Sequence, residues 1–167
     1  MKIIGTRNSY PVSWYARKIL RSRSSHVAFV FDEKLLIHSS IPSGVNLQWF
    51  TKFLKKNKII WEIDVPLPLE QEEGIYQNLL DEHGDEGYDY LGALYLGWRG
   101  LLYRLFKKPY PTLNKWGTNK RPMCMGVFLR LPSWLIGVVD EKKLEIMSPD
   151  QVGTYISETT GREIKWL

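Results

Sequence analysis

The sequence predicts an α+β fold in which a small antiparallel sheet packs against helices. Three observations predict it. The segments HVAFVF (residues 26–31) and LLIHS (35–39) are rich in β-branched and aromatic residues. Only Asp32, Glu33 and Lys34 separate them, so they read as the two arms of a hairpin. IIWEIDV (59–65) alternates Trp61, Ile63 and Val65 with Glu62 and Asp64, the pattern of a half-buried strand. Residues 69–83 and 88–106 instead space their apolar side chains as helices do.

The remaining elements follow in order. Trp14, Tyr15, Ile19 and Leu20 mark a short helix near the start, with Arg17, Lys18, Arg21 and Arg23 on its other side. The preceding residues carry no clear pattern. After the hairpin, Val45, Trp49, Phe50, Phe53 and Leu54 recur at helical spacing opposite Lys52, Lys55 and Lys56. Pro66 and Pro68 end the strand at 59–65. Residues 69–83 bury Ile75, Leu79 and Leu80, with Gly84 as the stop. Residues 88–106 are apolar on more than one side, so this helix is expected to be largely buried. Gly92, Gly97 and Gly100 would let another backbone approach it. A long basic loop (107–121), a short apolar helix (123–131) and a strand (134–139) come next. Ser148-Pro149-Asp150 has the composition of a helix start, and Gly161 of its stop.

At 167 residues the chain is read as one domain, 1–167. It has one cysteine, which excludes an intramolecular disulfide and suits a reducing compartment. The opening MKIIGTRNSYP is too short in apolar residues for a secretory signal, and the apolar runs are about half a bilayer span. A cytoplasmic location is expected, compatible with peripheral membrane contact. Net charge is +5, but residues 59–98 hold ten acids and no Lys or Arg. The basic remainder would steer an anionic partner.

The chemistry rests on few residues. Cys124 follows Pro122 at a helix start, where backbone N–H groups and the helix dipole favour thiolate and can hold an oxyanion. His26 opens a strand beside Ser24 and Ser25, placed to take a proton from a thiol. Hairpin pairing brings His38 near His26, where it can orient that base; Glu33 and Asn46 are weaker candidates for the same task. The three histidines and one cysteine lack paired metal-ligand spacing, so no metal is expected. No phosphate-binding glycine pattern occurs, and no cofactor is expected.

SHVAFVF, LLIHSS with Ser43-Gly44-Val45 after it, YDYLGAL, MCMGVFL and a late SPDQV, in this order, resemble the circularly permuted papain-like enzymes of the NlpC superfamily, in the YiiX/YaeF-like group. Lecithin–retinol acyltransferase-type proteins are more distant relatives of that group. The resemblance spans about residues 24–151 and implies a permuted papain-like fold, with His before Cys in the chain. It implies Cys124 as nucleophile, His26 as base and His38 as third member, with Tyr88, Asp89 and Ser25 near the substrate. Cys124 is followed by Met125 and Gly126 where members often have Ser-Glu, and His38 stands where they often have Glu. A neutral histidine can still accept the N–H of His26.

The expected function is thus a cysteine hydrolase or acyltransferase acting on an amide, ester or thioester. Its partner would be a peptide, peptidoglycan-like or lipid acyl substrate, not nucleic acid. Two other readings stand beside it. One is an inactive papain-like module whose basic aromatic segments 17–23 and 107–121 contact nucleic acid or an anionic surface. The other is a lipid acyltransferase, suggested by the apolar helix at 88–106.

Overall fold

The computed structural model describes residues 1–40, 44–83, 89–107, 109 and 146–167. It is α+β, as expected. Six strands form one sheet in the order β4-β3-β2-β1-β5-β6, every neighbouring pair antiparallel. The strands are β1 (Lys2–Asn8), β2 (His26–Phe31), β3 (Leu35–Ser40), β4 (Gly44–Trp49), β5 (Asn57–Asp64) and β6 (Ile164–Trp166). The described helices are α1 (Pro11–Leu20), α2 (Phe50–Leu54), α3 (Leu69–His83), α4 (Tyr90–Phe106) and α5 (Pro149–Thr160). None of them is long and apolar enough to cross a membrane.

The alternation of strand side chains divides the core in two. On one face Ile3, Val27, Phe29, Ile37, Trp61 and Ile63 pack with Ile75 and Leu79 of α3 and Val152 and Ile156 of α5. On the other, Ile4, Ala28, Val30 and Leu36 meet Phe53 of α2. Each such apolar side chain, fully buried, contributes about 1.5–3 kcal/mol. His26 and His38 fall on the second face by the same alternation, next to α2.

Trp61 ties the layers together. Its indole is fully buried and lies over Gly5 of β1, where an added Cβ would come within 2.0 Å of Nε1. On its other side Gly153 of α5 leaves similarly little room, at 2.9 Å from Cε2. The indole N–H donates to Ser24 Oγ at 3.2 Å. Ser24 in turn donates through its hydroxyl and, at 3.1 Å, its backbone N–H to the Asp150 carboxylate, which also accepts from the Arg23 N–H at 2.5 Å. This network holds the segment immediately before His26 against the start of α5. The start of α5 itself is a capping box: Ser148 Oγ accepts from the Gln151 N–H and Gln151 Oε1 from the Ser148 N–H.

Several expected elements are present with small adjustments. The hairpin β2–β3 turns through Asp32 and Glu33, both at positive φ (45° and 53°), with Lys34 N–H donating to Phe31 C=O at 3.0 Å. A tight hairpin of this primed kind favours glycine at its second central position. Replacing Glu33 by Gly is therefore expected to raise stability by about 0.5–1 kcal/mol, read as a higher urea midpoint. The Lys2–Glu33 ion pair lost with it is exposed, and such pairs contribute little.

Three expectations are corrected. Residues 45–49 form strand β4, not helix, and only Phe50–Leu54 is helical. Six residue pairs from Leu35–Trp49 to Ser40–Gly44 complete the ladder along β3, and these hydrogen bonds outweigh a helical spacing that crosses the strand–helix junction. The opening residues, read without pattern, are the inner strand β1, paired on both sides. Lastly, α4 is not largely buried: Tyr95, Leu96, Gly92 and Gly100 are buried, whereas Leu91, Leu94, Trp98, Leu105 and Phe106 are exposed. Among the described residues, nothing lies within 4 Å of a Cβ added at Gly97.

Candidate functional site

An open cleft of about 570 Å³ lies between α1 and α2, over the end of the sheet where His26 and His38 project. That volume falls in the usual range for small-molecule sites. Its floor and walls include Ser25, His26, His38, Ser39, Gln48 and Phe53, with Asn8, Lys52, Lys56 and Asn57 among the rim residues.

The two histidines touch. His26 Nε2 lies 2.8 Å from His38 Nδ1, and the rings meet nearly edge to face with centroids 4.9 Å apart. Phe53 seats both, its ring centroid 6.3 Å from that of His26 and 5.2 Å from that of His38. On the far side of His38, Gln48 Nε2 lies 2.5 Å from His38 Nε2. The register explains this placement: Gln48 pairs with Leu36 on β3, so it lies diagonally beside His38 on the same face.

Gln48, His38 and His26 therefore form one proton chain. A carboxamide can present either its oxygen or its N–H. With the oxygen toward His38, His38 Nε2–H donates to it, His38 Nδ1 accepts from His26 Nε2–H, and His26 Nδ1 is a bare acceptor. With the amide N–H toward His38, the orientation in this structure, every proton moves along by one nitrogen and His26 Nδ1 carries a hydrogen. The first order is the one in which His26 can act as a base.

Both rings are held neutral at pH 7. Burial first, and the neighbouring His38 second, together lower His26 to about 3. Burial also lowers His38, to about 4, against a smaller opposing effect of the Asn46 side chain. A positive charge on either ring would have no acid beside it among the described residues of the cleft. Among the described residues no group of three or more His, Cys, Asp or Glu side chains gathers to hold a metal ion.

The surrounding serines are structural struts as well as cleft surface. Ser25 Oγ is 2.6 Å from Ser13 Oγ of α1, and the Ser25 N–H donates to Thr6 C=O at 2.8 Å. Arg17 donates to Ser13 Oγ and to Asn8 C=O, which fixes α1 over the end of β1. Asn8 donates to Asn57 Oδ1 at 3.2 Å across the cleft floor.

Of the residues singled out in the sequence, His26, His38 and Ser25 are brought together here. Asp89 does not line the cleft. It is the buried N-cap of α4, accepting from the Gly92 N–H at 2.9 Å. Cys124 and Tyr88 lie outside the described residues. Glu33 stands at the hairpin tip, and Asn46, paired with His38 across the strands, donates to Ser40 Oγ and also acts on His38. Sequence reading missed Gln48, Lys52 and Lys56 as cleft residues. The period-2 pattern Val45, Leu47, Trp49 was the available signal for Gln48, since it sets the even-numbered residues of β4 on the His38 face. Compared with models of protein families, with curated proteins and with solved structures, the chain matches none.

Proposed function

We propose that this protein is a thiol hydrolase or acyltransferase of permuted papain-like design, with Cys124 as nucleophile, His26 as base and His38 as the group that orients the base. The observation that carries this reading is the His26 Nε2–His38 Nδ1 contact of 2.8 Å at the wall of an open cleft. That contact uses one nitrogen of His26 and leaves Nδ1 for a nucleophile, which is the division of labour a base in a triad requires.

The steps balance as follows. The Cys124 thiol gives its proton to His26 Nδ1, and the thiolate attacks the substrate carbonyl carbon. The tetrahedral adduct collapses, and the leaving amine, alcohol or thiol takes the proton from His26. Water or a second nucleophile then gives a proton to His26, attacks the thioester and releases the acyl group, and the proton returns to sulfur. A buried neutral His26 suits this cycle, because imidazolium and thiolate arise together and each supplies the counter-charge the other lacks. His38 accepts from His26 Nε2–H throughout; this requires the Gln48 carboxamide turned over from its orientation in this structure, so that its oxygen accepts from His38 Nε2–H.

The test is thiol labelling. An iodoacetamide-type probe is expected to modify Cys124 in the native protein, and His26→Ala to slow this by about a hundredfold. His38→Ala should slow it by a smaller factor, since it acts through His26. Circular dichroism establishes that each variant is folded. Equal labelling rates in folded native protein and folded His26→Ala would remove the proposal.

A further inference from the structure

The cleft is charged on one side only. Among the described residues, its lining includes Lys52 and Lys56 and no Asp or Glu. Both lysines are exposed, and neither forms an ion pair among the described residues. Lys2, Lys34 and Lys165 do form such pairs. Lys52 and Lys56 are four residues apart and flank Phe53, the side chain that seats both imidazoles. Two lysine ammonium groups therefore stand at the rim of the cleft that holds the histidine pair. Lysine stems are long and flexible, so these ammonium groups can turn into the cleft while their carbons stay against its wall.

We propose that the cleft takes an acyl substrate bearing an anionic group, a carboxylate or a phosphate, held by Lys52 and Lys56 while the carbonyl lies at His26. The inference rests on the thiol reading of the site and specifies its substrate. Two ammonium groups without an ion-pair partner among the described residues attract an anion within about a Debye length, 8–10 Å at ordinary ionic strength, and no described acid lines the cleft to offset them. Asn8 and Asn57 add hydrogen-bonding groups to the rim.

The experiment compares chloroacetamide probes of matched length that end in a carboxylate, a phosphonate, a neutral amide or a trimethylammonium. Mass spectrometry confirms Cys124 as the labelled site. An anionic probe is expected to label the native protein about tenfold faster than the neutral one, and the cationic probe slower still. The faster of the two anions identifies the source chemistry. Lys52→Gln/Lys56→Gln should abolish the preference, and 0.5 M salt should weaken it in the native protein. If labelling depends on His26 but all four probes react alike, this inference fails and the thiol reading stands. If labelling is indifferent to His26, the thiol reading fails and takes this one with it.

Discussion

Replacing Gly5 by Val is expected to leave a chain with no cooperative unfolding transition at 25 °C. A Cβ at position 5 would lie 2.0 Å from Nε1 and 2.1 Å from Cε2 of Trp61, and valine adds two methyl groups beyond it. The indole has nowhere to retreat. It is fully buried, α5 presses on it at Gly153, and its N–H is bonded to Ser24. Relief would demand separating β1 from β5 or lifting α5 from the sheet. Either exceeds the usual 1–3 kcal/mol of overpacking, and about 5 kcal/mol or more is expected against a typical total of about 5–15. Gly5→Ala should show a smaller loss in urea. Adding Trp61→Leu should recover part of it, giving a coupling between positions 5 and 61 of about 1–3 kcal/mol. A native-like urea midpoint for Gly5→Val would mean that Trp61 does not lie on β1.

The same contact explains much of what sequence reading could and could not find. The hairpin, β5, α3 and α5 were legible because local pattern and burial agree in them. Phe29 and Ile37 point to one core while Ala28 and Leu36 point to the other, and Ser148 and Gly161 delimit α5 as their chemistry predicts. β1 was not legible because Gly5 is dictated by a ring 56 positions away in the chain (61 − 5) and no local rule asks for it. β4 was hidden because Trp49, Phe50, Phe53 and Leu54 straddle a strand–helix junction and imitate one helix. That misreading also hid Gln48 and turned Lys52 and Lys56 into part of an ordinary solvated face. The histidine pair was legible for a simple reason. Hairpin pairing is local, so His38 could be placed near His26 from spacing alone, and the structure does put them in contact.

Lowering the pH from 7 to 5 is expected to cost the protein about 2–4 kcal/mol of folding stability. The unfolded chain holds His26 and His38 near the ordinary value of about 6.5. In the fold they are lowered to about 3 and about 4, chiefly by burial. Between those values and 6.5 the unfolded state binds more protons than the native state. Stability therefore rises with pH in that window, is fully present above about 6.5, and is lost as the pH falls. One lowered ring contributes about 1.4 kcal/mol per pH unit, hence about 2 kcal/mol at pH 5 and up to twice that for two. Asp64 is also lowered, first by its hydrogen bond from Lys165, but its stability is lost only below the carboxylate range, so it leaves pH 5–7 to the histidines. Urea midpoints at pH 7, 6 and 5 provide the measurement. His26→Gln/His38→Gln removes both titrating rings and should flatten the slope across that window, even if it lowers stability at pH 7. A slope that persists unchanged in the double variant would place the titrating groups elsewhere. A slope that disappears would mean that at pH 7 the cleft holds an uncharged histidine pair, the resting state from which His26 can take a proton only when an anion forms beside it.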